Sequence, residues 1–316
     1  MNPSLPNPEL ATSHGRRDFL RRSGIAAFTA AMAPLALSSV GSIFNATPAQ
    51  ASILSDTDIL NFALNLEYLE GEYYSRAVYG MGLAAMNIGI SGTGNQGTTI
   101  YPTTAKVNFQ DPRVLGYATE IAIDEINHIK FLRSQLGNAA VAKPAIDLAG
   151  GFNGSAQAAG ISNTFDPYAS DAAFLLGALT LTDVGVTAYL GAAAYINSKT
   201  VLAAAAGILA TESYHSSTLR TSLYRINYMD PSQFYGQAVN KISDLRDSLD
   251  GPRDLDQGIT NADGTSNILP ADGSSIAFPR LPGQVLNIVY AKIGATSGGF
   301  FPNGVNGGLT AGTSTF

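Results

Sequence analysis

Residues 118–137 read ATEIAIDEINHIKFLRSQLG, and residues 205–226 read AAGILATESYHSSTLRTSLYRI. Each stretch carries Glu-x-x-His: Glu125 with His128, and Glu212 with His215. Residues three apart lie on one face of an α-helix, so each copy aims a carboxylate and an imidazole the same way. The faces are otherwise apolar. Val114, Ala118, Ile121, Glu125, His128 and Leu132 recur at spacings of three or four, as do Val201, Ala205, Ile208, Glu212, His215 and Leu219. An unpaired charge on a core stripe is costly, so each pair needs a compensating partner. Two such helices facing each other, with carboxylates from two further helices, make a dinuclear metal site in a four-helix bundle.

The chain has three histidines, and His14 lies in a segment expected to be removed, so every remaining His falls in the two patterns. The plainer alternative is two buried Glu–His ion pairs or two solvated helix faces. There is no cysteine, which excludes disulfides, thiolate catalysis, iron–sulfur clusters and Cys-ligated zinc. Arg16-Arg17-Asp18-Phe19-Leu20 is a twin-arginine pattern, followed by an Ala- and Gly-rich run to about Phe44 and a candidate cleavage site at Ala49-Gln50-Ala51. Residues 1–51 therefore read as a signal peptide, and the protein as periplasmic or secreted by the twin-arginine route. An uncleaved anchor is the alternative; after cleavage no membrane span is expected. Removing residues 1–51 takes four of 18 basic and two of 24 acidic residues, leaving 14 and 22 and a net charge of −8. Such a chain is a poor nucleic-acid binder.

Punctuation sets the helices. The first runs from Asp56 to Tyr79, capped by Ser55 with Asp58 three residues on, and stopped by Gly80. Its inward stripe is Leu60, Ala63, Glu67, Glu70 and Tyr74. The second opens at Asp111-Pro112 and ends at Gly137. A third, nearly all apolar, spans about 170–197, with Asp183 as its only interior carboxylate; a buried lone Asp asks for a cation or a proton. The fourth spans about 200–228. Residues 81–110 and 138–167 read as long connections, and GTGNQG (Gly92, Gly94, Gly97) as a flexible one that lacks the strand–helix context of a phosphate loop. A polar fifth helix over 230–249 should pack outside the core. The rest is loop-rich, with one apolar segment at 285–290 and a Phe300-Phe301 pair that pins the tail to the bundle or to a neighbouring subunit. These boundaries divide the mature chain into a bundle, 52–230, and a C-terminal extension, 231–316.

Carboxylate, Glu-x-x-His, carboxylate, Glu-x-x-His, in that helix order, resembles the ferritin-like di-metal superfamily of bacterioferritins, rubrerythrins and manganese catalases. LNFALNLEYLEGEYYSRAVYG (60–80), Asp166-Pro167-Tyr168, DVGVTAYLGAA (183–193) and FFPNGVNGG (300–308) are similar to exported ferritin-like proteins related to plant desiccation-related proteins. The resemblance implies an all-α, ferritin-like four-helix bundle with a fifth helix. It implies metal ligation by Glu67, Glu125, His128, Asp183, Glu212 and His215. Asp183 departs from the superfamily's usual Glu, and Glu70 is the alternative ligand.

Hard carboxylates with two imidazoles suit two iron or manganese ions, with one or none as the alternatives in a degenerate site. Tyr68, Tyr73, Tyr74, Tyr189 and Tyr214 surround the motifs, as packing or as redox groups. The expected partners are a metal ion or a small-molecule oxidant, with a homo-oligomer left open. The expected activity is of peroxidase, catalase or ferroxidase type. The alternative is a non-catalytic desiccation, stress or envelope protein with a structural or degenerate metal site.

Overall fold

The computed structural model describes residues 54–103, 105–231 and 234–315; the signal-peptide and cleavage readings fall outside them. Helices dominate. Their order is α1 (Asp56–Tyr79), α2 (Pro112–Leu136), α3 (Leu148–Ala158), α4 (Asp171–Ala193), α5 (Lys199–Met229), α6 (Phe234–Asp250) and α7 (Pro282–Val289). Two two-residue strands, β1 (Thr99–Ile100) and β2 (Ile146–Asp147), pair in parallel.

The local signals act as read. Ser55 and Asp58 form a reciprocal capping box, and Gly80 ends α1 in the left-handed conformation with φ 69°. Asp111 caps α2 and Pro112 sits in its first turn; Ser198, not read as a cap in the sequence, caps α5. α1 packs along α2, and α4 along α5 across a short turn; α1 and α4 join the two pairs. This is the expected all-α four-helix bundle. α4 is long and apolar enough to cross a membrane, yet it is buried in the bundle.

Five features go beyond the sequence reading. α1 is buried on nearly every side, because loops and the C-terminal tail cover its outer face. Asn61 donates to Ala139 O at 3.0 Å, and Asn65 donates to Asn306 O at 2.8 Å. The stretch 138–167, expected to be connection only, contains α3, capped by Asp147 and held by buried Leu148, Phe152 and Ala156. Phe300 packs edge-on against Phe152 at 5.0 Å, so the tail is pinned to the bundle of its own chain. α6 buries Val239, Ile242 and Arg246 against α4 and α5 rather than standing wholly outside the core, and the apolar segment near 285 is helix α7.

Candidate metal centre

α1 contributes Glu67 and Glu70, α2 contributes Glu125 and His128, and α5 contributes Glu212 and His215. All six are buried. The two imidazole rings lie 6.4 Å apart, centroid to centroid. His128 Nδ1 faces Glu125 Oε2 at 3.2 Å, Glu67 Oε2 at 3.4 Å and Glu212 Oε1 at 3.4 Å. His215 Nδ1 faces Glu125 Oε1 at 3.1 Å and Glu212 Oε2 at 4.0 Å. Glu125 and Glu212 thus each turn one oxygen to each imidazole. Glu70 Oε2 reaches the same space as Glu212 Oε2: both lie about a van der Waals contact from where a Cβ on Gly185 of α4 would stand.

Whether this set suits a cation is tested by its unsatisfied atoms. Among the described residues, Glu67 Oε2, Glu125 Oε1, both oxygens of Glu212 and His215 Nδ1 are buried without a hydrogen-bond partner. They approach one another off the axis that hydrogen bonds need. Buried polar atoms are normally paired, and five orphans converging on one region form a set of donors that could hold a cation. One atom each from Glu67, Glu125, His128 and Glu212 lie within 4.8 Å of one another, a group that could hold a metal ion.

The electrostatics agree. Burial pushes Glu67 up to about 8 and Glu212 up to about 7, the former against the opposing pull of His128. Burial, then the charges of Glu212 and Glu125, drives Glu70 well above the carboxylate range. Burial would also raise Glu125, but its hydrogen bond to His128 and its close approach to the His215 imidazole win and hold it at about 2. His215, disfavoured as a cation by burial, is nonetheless raised to about 9 by Glu125, and His128 is raised further by Glu67, Glu125 and Glu212. With no cation bound, protons must compensate the cluster.

Asp183 does not join it. Its Oδ2 pairs with Arg220 Nη1 at 2.8 Å and with Arg246 Nη2 at 3.3 Å, and Ser216 Oγ donates to its Oδ1 at 2.6 Å. The ligand expectation for Asp183 is corrected on that geometry: its compensating charge is a pair of buried guanidinium groups. Arg246 also meets Asp256 at 2.6 Å, and Arg280 bridges Asp256 and Asp250. This network ties α4, α5 and α6 to the segment that follows them. Glu70, the alternative ligand, lies beside Glu212 at the edge of the cluster.

Sequence reasoning missed Asp124 and Thr182 beside the candidate ligands, and placed Tyr74 and Tyr189 only as residues surrounding the motifs. Asp124 Oδ2 meets His215 Nε2 at 3.0 Å, the arrangement of a carboxylate behind an imidazole that could ligate a metal. Its only signal was its place beside Glu125. Tyr189 donates to Glu67 Oε1. Thr182 donates to Glu70 Oε1 at 3.1 Å and shares a hydrogen bond with Tyr74 at 2.9 Å. Tyr73 donates to Phe174 O at 2.8 Å, and Tyr68 takes a hydrogen bond from Arg133 and packs in the core. Tyr214 is exposed.

Two hollows reach the ligand shell. A cleft of about 300 Å³ between α2 and α5 has His215 and Asp124 in its lining. An apolar cavity of about 40 Å³, lined by Leu66, Leu181, Val184 and Ile288 among others, also has Glu70 and Gly185 in its lining.

A helical bundle with paired Glu-x-x-His helices defines a ferritin-like protein, and residues 55–225 match the ferritin-like domain family. The chain belongs to that family. It is 29% identical over 269 residues to desiccation-related protein PCC13-62 of Craterostigma plantagineum, covering 80% of this chain and 83% of the relative. It is 28% identical over 270 residues to ferritin-like catalase Nec2 of Nesocodon mauritianus, covering 80% and 84%. No solved structure matches significantly.

Proposed function

We propose that the protein is an exported di-iron or di-manganese oxidoreductase that reacts with peroxide or dioxygen. The observation that carries this is the five orphaned atoms, arranged as two poles. Glu67, Glu70, Glu125, His128, Glu212 and His215 would hold the ions, with Glu125 and Glu212 each turned toward both imidazoles. Four carboxylates balance two divalent cations, which removes the cost of the buried charges. The oxygen and nitrogen donors suit iron or manganese, and such a pair supplies electrons two at a time.

The chain's own residues do the rest. Asp124 holds the His215 ring by its outer nitrogen, and Tyr189 and Thr182 hold Glu67 and Glu70. Burial keeps bulk water from the carboxylates. One relative is named a catalase, which supports peroxide as the oxidant; the other is named for desiccation, which favours a second, non-catalytic reading. Elemental analysis of the purified protein, followed by oxygen evolution from peroxide, separates them. Two ions per chain with turnover supports the oxidoreductase. Metal without turnover supports the second reading, and failure to take up either metal overturns the site.

A further inference from the structure

Peroxide and dioxygen each have two heavy atoms, yet the cleft over His215 holds about 300 Å³, the size at which pockets begin to take small organic ligands. α2 lines it with Tyr117, Glu120 and Asp124, and α5 with Thr211, Tyr214 and Thr218. Among the described residues, no Lys or Arg lines it. Tyr214 is 75% exposed, an aromatic ring left largely to solvent at the rim of the cleft. The imidazole of His215 joins cleft to cluster. Its Nε2 is 3.0 Å from Asp124, a cleft residue, and its Nδ1 is 3.1 Å from Glu125.

We infer that this cleft binds a small aromatic reductant, neutral or cationic, bearing an O–H or N–H group: a phenol or an arylamine. The inference rests on the di-metal reading and names its second substrate. Tyr117 and Tyr214 offer ring faces for stacking and for a cation. Glu120 and Asp124 accept from the hydroxyl or amine, and their charge repels anions. A molecule seated there is one imidazole away from Glu125 and Glu212. The reaction balances with hydrogen peroxide as the oxidant. Two phenols each lose one electron and one proton. Peroxide takes up both electrons and both protons, its O–O bond breaks, and two waters and two phenoxyl radicals result. The protein is then a peroxidase with a dedicated reductant site.

The test is binding first. 4-Methylphenol, benzylammonium and benzoate are titrated against the purified protein by saturation-transfer NMR and calorimetry. The phenol and the cation should bind, and benzoate about tenfold more weakly or not at all. Tyr214→Ala should weaken the phenol and the cation about three- to tenfold, the loss of one stacked ring. Glu120→Gln should weaken benzylammonium alone. In the metal-loaded protein, Tyr214→Ala should slow peroxide-dependent oxidation of 4-methylphenol while oxygen evolution from peroxide alone is unchanged. Benzoate binding as well as the phenol, or a Tyr214→Ala protein that binds all three probes like the parent, overturns the inference. Absent metal and absent peroxide turnover overturn the di-metal reading instead, and probe binding still judges the cleft.

Discussion

Asp183→Asn separates a ligand from a counter-ion. Removing one partner of a buried ion pair costs about 3–5 kcal/mol, because the other charge is left uncompensated. Here the loss falls unevenly. Arg246 keeps Asp256, with contacts of 2.6 and 2.8 Å. Among the described residues, Arg220, fully buried, keeps the carbonyls of Gln257, Gly258 and Asn267. Asn can still accept from Ser216. The expected cost therefore sits at the lower end, about 3 kcal/mol, or a fall in melting temperature of roughly 6–12 °C. Metal per chain should not change, because no atom of the cluster is touched. Urea unfolding and elemental analysis on the same preparations decide it. A variant that loses one ion per chain while keeping its melting temperature would refute the counter-ion argument and restore Asp183 as a ligand.

Glu70→Gln should reduce metal from two ions per chain to one, with far-ultraviolet circular dichroism unchanged; full metal content would exclude Glu70 from the site. Gly185→Leu should displace Glu70 and Glu212, whose oxygens lie 3.4–3.5 Å from a Cβ at that position, and lower metal content, whereas Gly185→Ala should be tolerated. Metal uptake at pH 7 should release protons, since Glu67 at about 8 and His215 at about 9 are protonated there and must give up protons to ligate. Without metal these raised values favour the folded state at low pH, an advantage lost as pH rises through about 8 to 9. The metal-free protein should therefore become less stable from pH 6 to pH 9, while metal binding tightens. Calorimetry in buffers of different ionisation enthalpy measures the proton count, and zero release would contradict the assignment. Changing Arg16 and Arg17 to Lys should hold the precursor in the cytoplasm; unchanged export would argue against the twin-arginine route.

The sequence alone determined the helices and the axis of the site. Caps and stops act within a turn or two, so Ser55, Asp58 and Gly80 mark α1 to the residue. The i,i+3 spacing of Glu and His, repeated on two apolar stripes, placed both imidazoles inside. α3 escaped because Gly150, Gly151 and Gly154 have low helix propensity; burial of Leu148 and Phe152 overrides it. Only the tertiary structure decided which carboxylates meet. Asp183 lies inside on its stripe, as expected, but a stripe does not say what faces it, and its arginines come from α5 and α6. The pairing of Asp124 with His215 crosses two helices 91 residues apart, a distance over which local periodicity carries no information. Glu70 faces the cluster, and Gly185 on α4 brings no side chain into the space it shares with Glu212. Local chemistry set the faces, and packing set which faces look at each other.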